Sequence, residues 1–293
     1  MKIGLQVNRF TWEGGDKIIG SRLAEIATTA DNANFDSIWV MDHFFQIQHI
    51  GEPQEPMLEA YTTLGYLAGI TKKAKLGTMV TGVIYRHPAL LIKAVTTLDV
   101  LSNGRAYMGI GAAWNEQESN ALGFPFPPLK ERFERLEDTL QMALQMWKGN
   151  DKEFVGKHVD AKWPLNYPRA ISKPHPTILI GGGGEQKTLK LVAKYADACN
   201  LFARAGDEEL KHKIDVLKKH CQDVGRDFND IEITVLEQIR SEDGKVDVQD
   251  AIEKCKHLKE FGVAHVIFGI RNVEEIEPIR TFGEKIIPIV SSF

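Results

Sequence analysis

Met1-Lys2-Ile3-Gly4-Leu5-Gln6-Val7-Asn8-Arg9-Phe10-Thr11-Trp12 opens the chain, and residues 2–7 of it read as a short strand buried on both faces. The residues directly after that strand settle the architecture. A doubly wound nucleotide-binding sheet carries a glycine fingerprint directly after its first strand, and Asn8-Arg9-Phe10-Thr11-Trp12 contains no glycine. Farther along the chain, seven more β-rich runs recur at 37–41, 75–80, 105–111, 177–180, 198–202, 232–236 and 265–269. Helical patterns lie between them, among them 22–32, 58–70, 89–101, 130–147 and 186–195. An open sheet would stop at five or six strands, whereas eight right-handed strand–helix units close on themselves. The expected architecture is an α/β (β/α)8 TIM barrel, one domain over residues 1–293. One segment breaks the rhythm. Residues 150–176 hold four prolines, Trp163 and Tyr167 without a helical period, and read as an inserted excursion between the fourth helix and fifth strand: a surface loop or a lid over the barrel mouth.

Composition narrows the function classes. With 43% hydrophobic and 26% charged residues the chain has material for a large core and none of the bias of a disordered segment. The net charge of -4, with basic residues interspersed among acids, argues against nucleic acid as a partner, since that affinity rests on clustered Lys and Arg. No stretch approaches ~18 consecutive apolar residues and the first seven are too short for a signal peptide, so the expectation is a cytoplasmic protein without a membrane partner. Cys199, Cys221 and Cys255 are odd in number and lack metal-ligand spacing, and read as reduced thiols; the nine scattered histidines predict no metal site.

Binding residues of a barrel stand at the C-terminal ends of its strands. After the second strand come Asp42-His43-Phe44-Phe45, an imidazole beside a carboxylate and two aromatic rings. His43 reads as a proton or hydrogen-bond donor, because imidazole titrates nearest neutral pH; the alternative is Asp42 capping a turn with His43 satisfied by backbone. The third strand ends in Gly77-Thr78-Met79-Val80-Thr81-Gly82, where glycines mark a bulge, a simple bend, or backbone close to a ligand. The fourth ends in Gly109-Ile110-Gly111-Ala112-Ala113-Trp114-Asn115-Glu116, small residues with room for a flat ligand and then polar donors. After the fifth, Gly181-Gly182-Gly183-Gly184-Glu185-Gln186-Lys187 runs straight into a helix. Consecutive glycines present backbone N–H groups and a helix N-terminus adds positive partial charge, so the loop reads as a phosphate cradle, or else as a plain flexible turn. It lacks the Lys-Ser/Thr ending of an ATP-binding loop.

These stretches together resemble the bacterial-luciferase-like superfamily of FMN-dependent monooxygenases and coenzyme F420-dependent enzymes, over nearly the whole chain. Carrying the resemblance are Ser37-Ile38-Trp39-Val40-Met41-Asp42-His43-Phe44, Leu76-Gly77-Thr78-Met79-Val80 with Arg86-His87-Pro88-Ala89, and Ser102-Asn103-Gly104-Arg105-Ala106 with the strand-four end, then Ala121-Leu122-Gly123-Phe124-Pro125, Glu131-Arg132-Phe133 and Glu137. The resemblance implies a third strand ending in a bulge, often with a non-proline cis peptide, at Met79, Val80 and Thr81, with backbone against the central ring of the cofactor. It further implies His43 at the reactive ring edge as the catalytic residue, and Gly182, Gly183 and Gly184 on the cofactor phosphate. Asp42, Gly111, Ala112 and Asn115 complete the expected cofactor-binding set. Sugar-phosphate dehydrogenases of this family carry a carboxylate where Trp114 stands here, which points away from a sugar phosphate.

The implied function is hydride transfer to or from a small organic substrate with coenzyme F420; the alternatives are an FMN-dependent monooxygenase and a non-catalytic flavin-binding relative. A homodimer is also implied by the resemblance. The F420 tail is anionic beyond its phosphate, and Lys187, Lys190, Lys194 and Arg204, with Arg86 and His87 as contributors, read as lining its exit, or else as simply solvated side chains.

Overall fold

Strict two-residue alternation along the strands generates the barrel. The computed structural model describes residues 1–239, 241–242 and 245–293. In chain order its elements are β1 (Lys2–Val7), α1 (Asp16–Asn32), β2 (Ser37–Val40), α2 (Ala60–Ile70), β3 (Lys75–Thr78), β4 (Thr81–Gly82), α3 (Pro88–Leu101), β5 (Tyr107–Gly111), α4 (Glu116–Leu122) and α5 (Leu129–Trp147). Next come β6 (Phe154–Val155), β7 (Asp160–Ala161), β8 (Thr177–Gly181), α6 (Thr188–Tyr195), β9 (Ala198–Phe202), α7 (Asp207–Val224), β10 (Glu232–Ile239), β11 (Ser241–Glu242), β12 (Lys245–Val246), α8 (Val248–Glu260), β13 (His265–Ile270), α9 (Glu277–Thr281) and α10 (Ile287–Val290).

Nine strands pair in the order β3-β2-β1-β13-β10-β9-β8-β5-β4, all parallel. β3 and β4 are two halves of one barrel strand, parted by Met79 and Val80, and a bridge from Leu76 to Ala106 joins the two ends of the order. The expected eight-stranded barrel is therefore present. Along each strand one side chain points outward to the helices and the next inward. Ile38, Val40, Met108, Ile110, Ile178, Ile180, Val266 and Phe268 belong to the large outer core, while Trp39, Tyr107, Leu179, Ala198 and Ile267 form a separate cluster inside.

Two expectations sharpen. The third strand is not continuous over 75–80 but broken at 79–80, at the bulge that the resemblance implies, because Val80 turns into the barrel. For the excursion at 150–176 the two alternatives narrow to one: it is a surface loop and not a lid. It leaves from the end of α5 and returns at the start of β8, both at the end of the barrel opposite the mouth, and its polar backbone is satisfied there. Asp99 near the end of α3 accepts from Ile171 N (2.7 Å) and Ser172 N (2.9 Å), and Asp138 of α5 accepts from Lys157 N (3.0 Å) and His158 N (2.7 Å). The excursion lies along the flank between α3 and α5, with β6 and β7 as a small antiparallel pair.

The first residues of the inward rows form a polar floor. Trp39 Nε1 donates to Ser37 Oγ (2.6 Å), which meets His265 Nε2 (2.9 Å), and His265 Nδ1 meets Glu232 Oε1 (3.0 Å). Lys2 also pairs with Glu232. Gly4 stands where a Cβ would lie 2.5 Å from Ser37 Oγ, so nothing but glycine lets this network close. Burial tends to raise the Glu232 carboxyl, but its bond to His265 and its pairing with Lys2 outweigh that and hold it down at about 2. A folded-state value below the ordinary 4.5 adds stability that is complete above pH ~4.5 and lost as pH falls towards 2. Glu232→Gln should therefore lose up to about 3 kcal/mol at pH 7. Urea unfolding of both proteins should show the gap shrinking to roughly half by pH 3. A gap that does not change between those pH values would contradict this account of the floor.

Candidate functional site

At the mouth, the bulge between β3 and β4 comes first. Met79 N donates to Val40 O (2.9 Å) and Val83 N to Gly111 O (3.0 Å), so the chain leaves strand pairing only at 79–80, and the Met79–Val80 peptide bond is cis. Thr78 Oγ1 donates to Gly109 O (2.8 Å) and meets Thr81 Oγ1 (2.9 Å), which meets Tyr61 OH (2.8 Å), a chain of hydroxyls across the base of the bulge. Val80 enters the barrel. A Cβ on Gly111 would stand 3.1 Å from its Cγ2, and one on Gly181 2.9 Å from its Cγ1. The small residues at the end of strand four thus make room for the bulge itself rather than directly for a flat ligand.

His43 follows β2 with its side chain 13% exposed. Its Nδ1 lies 2.7 Å from Glu118 Oε2, while among the described residues its Nε2 has no protein partner and is not a buried unpaired atom. Glu118, fully buried in the first turn of α4, also accepts from Tyr85 OH (2.6 Å), Phe44 N (2.6 Å) and Phe45 N (3.3 Å). Burial alone would raise this carboxyl, but the bonds from His43, Tyr85 and the Phe44 amide hold it below its ordinary value. Trp114, largely exposed, stands edge-on to His43 with ring centres 5.6 Å apart, and Phe44, Tyr85 and Phe124 pack together beside it.

Asp42, adjacent in sequence to His43, meets a different partner. Arg86 binds it through two nitrogens (2.7 and 2.9 Å), pairs with Glu59 as well, and lies over the Tyr61 ring at 4.8 Å. Asp42 and Arg86 side chains are 1% and 10% exposed, so the pair is desolvated. The Asn115 side-chain oxygen accepts from Glu118 N (3.2 Å) as the cap of α4, and the carbonyls of Ala112 and Ala113 accept from Arg132 of α5 (3.4 and 2.5 Å). Ala113 sits at φ +62°, a left-handed turn that Arg132 holds in place.

Across the mouth lies the glycine loop. Gly182 has φ +116° and spends its N–H on Asn200 O (3.1 Å). Among the described residues, the N–H groups of Gly183, Gly184, Glu185, Gln186 and Lys187 find no protein acceptor. Five unspent amides ahead of α6 suit an anion. Most of the residues expected at a cationic exit are engaged elsewhere: Arg86 is locked on Asp42, His87 caps α3 through Ala89 N (3.2 Å), Lys194 pairs with Glu137 (3.1 Å) and Arg204 lies over Phe202 (5.1 Å), while Lys190 is exposed on α6. Lys187 is drawn over the Phe133 ring at 5.3 Å. The cation that packs on the loop is Lys213 of α7, whose Cε would be 3.6 Å from a Cβ at Gly183 and whose amine binds Glu185 (2.6 Å) and Glu209 (2.9 Å).

Sequence reasoning missed Glu118, Tyr85 and Lys213. Only Glu118 left a local signal, as an acidic residue three positions after Asn115 in the pattern of a capping box, although here it turns into the site instead of back to the cap. The Asp42–Arg86 pair gives the sharpest test of the framework. Arg86→Met leaves a buried carboxylate without its partner and should cost about 3–5 kcal/mol in urea unfolding. A loss under about 1 kcal/mol would mean that Asp42 is solvated in some other way.

Known proteins match this chain at several levels. An F420-dependent glucose-6-phosphate dehydrogenase from Amycolatopsis mediterranei is 34% identical over 186 residues, 63% of this chain and 51% of that protein. The chain spans about half the length of the curated relatives it matches first. Among solved structures, an F420-dependent secondary alcohol dehydrogenase in complex with an F420-acetone adduct has a TM-score of 0.83 at 20% identity, over 99% of this chain and 98% of that one. The coenzyme F420-dependent tetrahydromethanopterin reductase from Methanopyrus kandleri has a TM-score of 0.80 at 17% identity, over 99% of both chains. At such identities these two speak for the fold. The model of the luciferase-like monooxygenase family matches residues 6–262, and with the barrel, the bulge and the strand-end residues in place, this chain belongs to that family.

Proposed function

We propose that this chain, as one barrel domain over residues 1–293, is an oxidoreductase that binds coenzyme F420 in the barrel mouth and transfers hydride to or from a small organic substrate. The observation that carries the reading is His43 Nε2, free of protein partners among the described residues, at the mouth beside the Met79–Val80–Thr81 bulge and opposite a glycine loop with five amides likewise unspent. The first curated relatives bear F420-dependent names, which favours the deazaflavin over FMN. In this reading Gly182, Gly183 and Gly184 hold the phosphate, and Met79, Val80 and Thr81 back the ring. The walls around it come from Gly111, Ala112 and Asn115, and from Asp42 through its hold on Arg86. When bound, the cofactor supplies the hydride donor or acceptor. His43 gives or takes the proton that accompanies it at the substrate oxygen, and the aromatic rings of Trp114, Phe44 and Phe124 keep water from that oxygen.

No described helix is long and apolar enough to cross a membrane. A cytoplasmic location and a homodimer belong to the proposal. Leu90, Leu101, Trp163, Tyr167 and Ile171, exposed where the excursion meets α3, offer apolar surface for a second copy.

Titration of the protein with F420 and with FMN, monitored by absorbance or fluorescence, tests the cofactor assignment. F420 should bind more tightly than FMN at both low and high salt, because Lys213, the cation packed on the glycine loop, is already paired with Glu185 and Glu209 and leaves little attraction for salt to screen. FMN binding as tight or tighter under both conditions would move the function to the monooxygenase reading. Gly183→Asp should abolish binding of either cofactor in a folded protein. A Cβ there meets only the Lys213 stem at 3.6 Å, so the fold tolerates it, while the added charge occupies the phosphate position. Unchanged affinity in that variant would remove the phosphate assignment.

A further inference from the structure

We propose that Glu118 is the positioning residue of the site: it fixes the tautomer of His43, with the proton on Nδ1 and the lone pair of Nε2 turned to the substrate. This rests on the assignment of His43 as the proton-handling group. Three observations carry it. Glu118 is fully buried and receives four hydrogen bonds, from His43, Tyr85 and the amides of Phe44 and Phe45. Two of those donors are backbone N–H groups and can do nothing but donate, so Oε1 must be an acceptor. Oε2 faces Tyr85 OH at 2.6 Å and His43 Nδ1 at 2.7 Å. A carboxylate offers only lone pairs, so Nδ1 must carry the hydrogen, and in the neutral ring Nε2 then has none.

The consequence is a direction for the proton. Neutral His43 accepts a proton at Nε2 from a substrate hydroxyl, and the same nitrogen returns it when the substrate is a carbonyl taking up hydride. Nδ1–H stays on Glu118 throughout. The bracing also spans the barrel: His43 follows β2, Tyr85 follows β4 and Glu118 lies in the helix after β5, so one carboxylate ties three successive strand ends to a single ring orientation.

Glu118→Gln separates positioning from bulk. Its amide is isosteric, and its orientation is dictated, because the amides of Phe44 and Phe45 must still meet an oxygen. The NH2 group therefore faces His43 Nδ1, which has to become the acceptor, and the neutral ring switches to Nε2–H. Two-bond ¹H–¹⁵N correlation spectra of the imidazoles in the free, full-length protein read this directly, with His43→Asn identifying its signals among the nine histidines. Wild type should show Nδ1–H with Nε2 unprotonated, Glu118→Gln the reverse, and Tyr85→Phe the wild-type pattern. With substrate, Glu118→Gln should lower kcat on the order of 10³-fold with KM little changed.

Nε2–H in the wild type, or an unswitched ring in a folded Glu118→Gln, overturns the proposal. Should Glu118→Gln not fold, the wild-type and Tyr85→Phe spectra still decide it. Failure of F420 to bind while the wild-type tautomer is as expected overturns the cofactor assignment and leaves the positioning role standing, since the tautomer is read on the free protein.

Discussion

Everything at the mouth depends on how closely the backbone of strand three approaches strand four. A Cβ on Gly109 would stand 1.9 Å from the carbonyl oxygen of Thr78, so no other residue allows that approach. Once the carbonyl is there, the rest is constrained. Val80 must go inward, and Gly111 and Gly181 must lack side chains where its methyls lie. The hydroxyls of Thr78, Thr81 and Tyr61 then satisfy one another and Gly109 O below it. Three glycines on two strands are thus set by a bulge on a third, and Gly181 answers to that bulge separately from the phosphate loop that follows it.

A second constraint is charge. Three carboxylates, Asp42, Glu59 and Glu118, converge within one quadrant of the mouth, and left free they would repel one another in a poorly solvated place. The protein sorts them. Arg86 takes Asp42 and Glu59, and Glu118 takes neutral donors with His43. That division spares His43 from sharing its carboxylate with a cation, so its ring orientation depends on Glu118 alone. Arg86 cannot serve as an exit for an anionic tail while it holds this pair together.

The barrel was legible in the sequence because burial on both faces writes itself into each strand as a local pattern. The boundaries of β1 and β9 are those expected, and the glycine loop before α6 was visible for the same reason. The broken third strand was legible from its residues as a run with glycines, and through the resemblance as a bulge with a non-proline cis peptide at Met79, Val80 and Thr81, which is where the cis bond lies. Long-range partnerships were not legible. Asp42 and His43 are neighbours in sequence and look like a pair, but successive residues at a strand end point apart, and the imidazole instead meets Glu118, 75 residues away. Likewise the helix-borne lysines near the glycine loop were chosen by sequence distance. A helix turns each successive residue by about 100°, and three-dimensional neighbours on α5 claimed Lys187 and Lys194. Lys213 arrives from the next helix instead.

The two ends of the barrel use the same materials to opposite effect. At the floor a histidine, a serine, a tryptophan and a glutamate close a network in which both nitrogens of His265 are bonded, with Gly4 pressed against it; nothing could enter. At the mouth a histidine and a glutamate meet at a similar distance, but one ring nitrogen is left over and faces open space. Geometry of the pair therefore does not distinguish a structural from a functional histidine here. What distinguishes them is the unspent valence: at the floor both ring nitrogens of His265 are bonded, whereas among the described residues the mouth holds back Nε2 of His43 and five amides of the glycine loop. In a barrel whose strands all run one way, those unspent groups collect at the C-terminal end, where the loops can leave them open.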